Sequence, residues 1–260
     1  MATYKGIKGV KLQSLATDPS VFADGEVWYN TSSYTLKYNV EGAGVWASAN
    51  AIPANRGGGC GIGTQTAGLY AGGSAPIPAL ALTIEFDGTN WTSGGTQNTG
   101  RVYQQGTGTQ TACFVSLGGT DTVNQQLVEE YNGTAWTEVT NVSRVASEGG
   151  AASGTLTAGA IIGSNTAAAR QLVEDYDGTT WTSAPSLTVA HERPSGSSVG
   201  TQTSSLLIGS AEGPTGGAVE SYNGVAWTAV TALTTIRGIG GAMGTQTAAL
   251  AVAGYFWTAP

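Results

Sequence analysis

The sequence predicts an all-β fold in which five four-stranded units stack radially as a five-bladed β-propeller. Three observations carry this. Trp46, Trp91, Trp136, Trp181 and Trp227 recur at intervals of 45, 45, 45 and 46 residues. A second marker, Gly-Thr-Gln-Thr, begins at Gly63, Gly108, Gly200 and Gly244, with the variant Gly-Thr-Leu-Thr at Gly154, and keeps the same period. Turn dipeptides recur in step with both: Asp87-Gly88, Asn132-Gly133, Asp177-Gly178 and Asn223-Gly224. Self-similarity at this period marks stacked supersecondary units. Asn-Gly and Asp-Gly reach the positive φ of tight turns at little cost.

The unit at residues 101–138 shows the strands in order. A small-residue strand follows Arg101, and Gly108-Thr-Gln-Thr turns the chain into the apolar run Ala112–Leu117. Gly118-Gly119 ends that strand. Leu127–Tyr131 is the third strand, and Asn132-Gly133 turns into a fourth that begins near Trp136. One such unit cannot bury both faces, whereas radial stacking buries each sheet against the next.

The predicted domains are an N-terminal docking segment, 1–34, and the propeller, 35–260. The last unit reaches Ala248–Gly254 and then ends at Pro260, without a third and fourth strand. Leu36–Asn39 and Val45–Ala47 are expected to supply them, which closes the ring and covers its sheet edges. Glu26–Tyr29 competes, because it also reads as a hairpin partner of Leu36–Asn39.

Composition narrows the function classes. Charged residues are 10% of the 260, yet 7 Trp, 10 Tyr and 4 Phe can fill a core, unlike a charge-rich disordered chain. The 40 Gly do not recur every third residue as in collagen. The net charge is −7, all four Lys (Lys5, Lys8, Lys11, Lys37) precede residue 38, and six dispersed Arg make no phosphate-tracking surface. Nucleic-acid binding is therefore not expected. Nor is membrane insertion, since no apolar run approaches the ~18 residues of a spanning helix. No Sec-type export signal is visible, and two Cys make no disulfide framework.

The repeat resembles the kelch family, in which an Arg precedes the first strand, Gly-Gly ends the second, and a Tyr and a Trp mark the third and fourth. Gly72-Gly73 and Gly118-Gly119 are intact, while Gly163-Ser164, Gly209-Ser210 and Ala253-Gly254 are degraded. Tyr131/Trp136, Tyr176/Trp181 and Tyr222/Trp227 are the aromatic pairs, with Phe86/Trp91 a variant. Four residues separate each pair where the family has six, so this is a compact variant.

The arginines Arg56, Arg101, Arg144, Arg193 and Arg237 recur with the repeat and are expected on one propeller face. Their guanidinium forks suit an anion or acidic glycan. The plainer reading is one structural Arg per blade, which ties loops. No catalytic residue, metal site or cofactor is expected. His191 is the single His and reads as a solvent-facing loop residue. The kelch-based copper-radical oxidases need two His. Glu129-Glu130 and Glu174-Asp175 read as edge charges on outer strands, because neighbours along a strand point apart.

The segment Asp24–Asn30, followed by Tyr34–Tyr38, resembles a module of tailed-bacteriophage fibre and appendage proteins, where it precedes a repetitive Gly/Thr/Ser-rich part. That resemblance implies a virion protein assembled in the host cytoplasm, either tail fibre-like or capsid-decorating. Expected partners are other virion proteins, further copies of the chain, and a host surface glycan. The apolar residues Val10, Leu12, Leu15, Val21, Phe22 and Trp28 exceed what an isolated strand can bury and are the expected attachment. Two alternatives are a lectin-like propeller and an intracellular kelch interaction scaffold.

Overall fold

A computed structural model describes residues 13–17, 27–38, 48–53, 55–74, 78–120, 122–145, 150–191, 194, 198–210, 216–235 and 240–252. The chain forms two compact units, Met1–Ala49 and Asn50–Pro260. In the first, β1 (Gln13–Leu15) runs parallel to β2 (Val27–Asn30), and β2 pairs antiparallel with β3 (Thr35–Tyr38). Asn30 Oδ1 accepts from the Ser32 and Ser33 amides (3.0 and 2.9 Å), which sets the β2–β3 turn. This short-range pairing places Thr35–Tyr38 in the N-terminal sheet, within the compact unit Met1–Ala49.

The second unit is all-β, in a propeller-like arrangement. Its first sheet holds β4 (Cys60–Thr64), β5 (Ala67–Ala71), β6 (Thr83–Phe86) and β7 (Trp91–Ser93). The second holds β8 (Gln105–Thr109), β9 (Ala112–Ser116), β10 (Val128–Tyr131) and β11 (Trp136–Val139). The third holds β12 (Ala151–Thr155), β13 (Ala158–Ile162), β14 (Val173–Tyr176) and β15 (Trp181–Ala184). The fourth holds β16 (Ser198–Thr201), β17 (Ser204–Ile208), β18 (Val219–Tyr222) and β19 (Trp227–Ala229). Each is an antiparallel meander. Among the described residues four sheets, not five, are complete, because β20 (Gly241–Gly244) and β21 (Ala249–Val252) form a two-stranded sheet. Of the segments expected to supply its third and fourth strands, Leu36–Tyr38 lies in β3, paired with β2, while Asn39 and Val45–Ala47 lie outside the described residues.

Both sequence markers have a local physical cause. The marker glycines Gly63, Gly108, Gly154, Gly200 and Gly244 hold φ between 100° and 126°. A Cβ on any of them would meet the carbonyl oxygen four residues on at 2.1–2.4 Å, so no other residue fits. In the 3–4 turns, Asp87, Asn132, Asp177 and Asn223 each accept from the second and third amides that follow, at 2.7–3.0 Å. Backbone bonds from these amides hold the Asp87 and Asp177 carboxyls below the usual carboxylate range.

Strand alternation divides the core into layers between sheets. Cys113, Val115, Tyr131 and Trp136 pack on Cys60, Ile62, Leu69 and Ala71 of the first sheet. Phe114, the residue between Cys113 and Val115, points the other way and packs with Ile161 and Tyr176 of the third. Ile162, Val173 and Leu187 then pack with Leu207, Tyr222 and Trp227. The compact aromatic spacing makes Tyr131–Trp136, Tyr176–Trp181 and Tyr222–Trp227 direct cross-strand pairs, with rings 4.8, 4.6 and 5.0 Å apart.

Polar bonds stitch the same seams. The marker Gln110 donates to Gly68 O and Phe86 O of the preceding sheet (both 2.9 Å), and Gln202 does the same to Gly159 O (2.8 Å) and Tyr176 O (3.0 Å). Gln246 donates to Ser205 O (3.2 Å), Ser221 Oγ (3.0 Å) and Tyr222 O. The third sheet has Leu156 at this position, and it packs against the apolar layer. Tyr131 donates to Glu85 (2.5 Å) and Tyr176 to Glu130 (2.7 Å), again in the preceding sheet. Trp136 donates to Gly95 O and Trp181 to Thr140 O, both at 3.0 Å.

Candidate functional site

Among the described residues, the repeat-position arginines are turned inward to differing degrees. Arg101 is fully buried. Its Nη1 donates to Leu117 O (3.0 Å) and Leu127 O (2.8 Å), and its Nη2 to Glu129 Oε1 (2.9 Å). Burial pulls its pKa down, and Glu129 opposes the shift. Arg144 repeats the arrangement more loosely. Nη1 donates to Leu172 O at 2.8 Å, Glu174 lies 3.5 Å from Nε, and burial lowers its pKa to about 10. Arg56 is half-buried, and its Nε and Nη1 have no hydrogen-bond partner. The reason is local: register aligns Phe86 with Tyr131, so Ile84 stands where Glu129 stands in the second sheet. Arg193 and Arg237 lie outside the described residues.

In the fourth sheet His191 takes the arginine's place. It is fully buried, not solvent-facing, with Nδ1 donating to Gly209 O (2.9 Å) and Nε2 facing Glu220 Oε1 (3.1 Å). Glu220 also accepts from the Thr188 amide (2.8 Å), Thr188 Oγ1 (2.7 Å) and the Val189 amide (3.2 Å). Burial raises its pKa, but these bonds outweigh it and hold the carboxyl low. Glu129 and Glu174 are likewise buried and are not edge charges. A fourth strand flanks them on one side and the second strand on the other. Glu130 faces the next sheet instead.

A concave feature of the second unit is an axial channel of about 540 Å³. It is lined by β4, β8, β12, β16 and β20, the first strand of every sheet, the two-stranded one included. Each is the edge strand of its own sheet, so its outer backbone groups face the axis. Small residues keep the bore open: Gly61, Gly106, Ala152, Ser198 and Ala242 occupy equivalent positions, two before the marker glycine. Among the described residues no charged side chain lines it. The Cys60 thiol is at the wall, but burial pushes its pKa up to about 12, and the same holds for Cys113. Both thiols are free and lack nucleophilic character.

Tyr103 sits at one end of the channel. Sequence reasoning missed it, although the alternation Cys-Gly-Ile-Gly-Thr and Gln-Gly-Thr-Gly-Thr in the first strands is a legible signal for a narrow, backbone-lined bore. Of the proposed attachment residues, Leu15 is half-buried in β1 and Trp28 lies in β2, while Val10, Leu12, Val21 and Phe22 lie outside the described residues. No group of three or more His, Cys, Asp or Glu suited to a metal is present among the described residues. No known family model matches the chain, and no curated protein matches it.

Proposed function

We propose that the protein is a structural appendage of a bacteriophage virion, attached through its N-terminal unit and presenting a five-bladed, kelch-like propeller outward. The observation that carries this reading is the two-part chain. One compact unit holds a three-stranded sheet and the fibre-like Asp24–Asn30 segment, and a second is built of stacked repeats. The ionisable side chains of that second unit support a structural, non-catalytic role, since Arg101, Arg144, His191 and their glutamates are spent on holding loops to sheets.

Five inner strands around one bore favour five blades over four. On this reading N-terminal strands complete the two-stranded sheet.

Mass spectrometry of purified particles tests the location, and a chain lacking residues 1–24 tests the attachment. The truncated protein is expected to stay folded and monomeric and to be missing from particles. Normal incorporation would move the attachment to a propeller surface.

A further inference from the structure

We propose that the mouth of the axial channel at Tyr103 is a binding site for a neutral saccharide. The inference stands apart from the virion reading, because it concerns only the second unit.

Tyr103 has φ +57°, a left-handed conformation that is uncommon for a residue with a side chain. Strain of this kind persists where the surroundings enforce it and clusters at ligand sites. Here the Tyr103 amide donates to Gly58 O (2.5 Å), and the ring lies against Gly58, whose own φ is +68°. A Cβ on Gly58 would sit 3.1 Å from Tyr103 Cε1, so the glycine leaves room for one face of the ring. The residue is nonetheless 46% exposed, which leaves ring surface open to a ligand. Inside the mouth the wall offers edge-strand backbone groups. An open aromatic face beside neutral donors and acceptors is the chemistry that receives a pyranose: its C–H face stacks on the ring and its hydroxyls exchange hydrogen bonds with the wall. The net charge of −7 disfavours sialylated, sulfated or phosphorylated glycans.

The test is a printed array of neutral and acidic glycans probed with the full-length protein, followed by calorimetric titration of the best neutral hit. Neutral glycans are expected to bind. Tyr103→Gly suits the left-handed backbone, so its urea midpoint should be unchanged or higher while affinity falls about tenfold or more; Tyr103→Phe should stay within about twofold. Three results would each overturn the proposal: no neutral glycan bound, only acidic glycans bound, or binding that survives Tyr103→Gly. Particle mass spectrometry is blind to all three, so failure here and failure of the virion reading are separable.

Discussion

Replacing the arginine of successive sheets by methionine should give three different losses from one repeated position. Arg101→Met removes the donor to two carbonyls and leaves Glu129, 1% exposed, without its cation. Removing one partner of a buried ion pair costs about 3–5 kcal/mol. Glu129 keeps bonds from the Asn98 amide (2.7 Å), Asn98 Nδ2 (3.0 Å) and the Thr99 amide (3.4 Å), so the lower end, about 3 kcal/mol, is expected. Arg144→Met loses one carbonyl bond and a longer ion pair at 3.5 Å, so about 1–2 kcal/mol is expected. Arg56→Met removes a guanidinium whose Nε and Nη1 are unpartnered, and it should be neutral or stabilising. Urea unfolding of the three variants, followed by tryptophan fluorescence and checked for a single transition, reads the order directly. If Arg56→Met proved as damaging as Arg101→Met, counter-ion pairing would not be what these arginines supply. If Arg101→Met unfolded with the wild-type midpoint and lost anion binding instead, the structural role would be wrong altogether.

Asp175 stands where Glu85 and Glu130 receive a tyrosine hydroxyl, but its Oδ1 has no partner and burial raises its pKa. Asp175→Glu adds the missing methylene and should bond to Tyr222, raising stability by about 0.5–1.5 kcal/mol in the same urea assay. The Glu220 carboxyl is held low in the folded state, so its stabilisation is complete above the unfolded value of about 4.3 and fades as pH falls through the folded pKa. Glu220→Gln should therefore flatten the acid limb of a stability–pH curve measured below that value, and an unchanged limb would count against the assignment. Both thiols should resist a disulfide-exchange reagent at pH 8 in the native protein and react on unfolding, because burial places both near 12. Rapid native labelling of either would contradict their burial.

The repeat, the sheet order and the aromatic pairs were legible because each rests on local chemistry: a glycine that only one turn geometry admits, and a tyrosine and tryptophan paired across a short hairpin. The arginine position was legible as a period but not as an environment. Whether Arg101 faces water or Glu129 depends on the loop that covers it, and burial of that kind leaves no periodic trace. His191 shows the limit best. It sits two residues before Arg193, so a search for repeated arginines passes over the side chain that meets Glu220 in the fourth sheet. The pair Glu129-Glu130 was read correctly as pointing apart. Its placement was not, because the third strand of a four-stranded meander is interior.

The inter-sheet stitches made by the marker glutamines and the tyrosine–tryptophan pairs run in one direction. Gln110, Tyr131 and Trp136 of the second sheet reach back to the first, and Tyr176 and Trp181 reach back to the second. Gln202 and Gln246 continue the pattern at later seams, and the first sheet's Gln65 is exposed. Each of these donors lies 24–53 residues after its acceptor. A chain emerging from the ribosome therefore finds, at every seam, a receiving sheet that has already been made. The molecule can zip from its amino end, one repeat at a time, without holding half-finished sheets open for partners still to be synthesised.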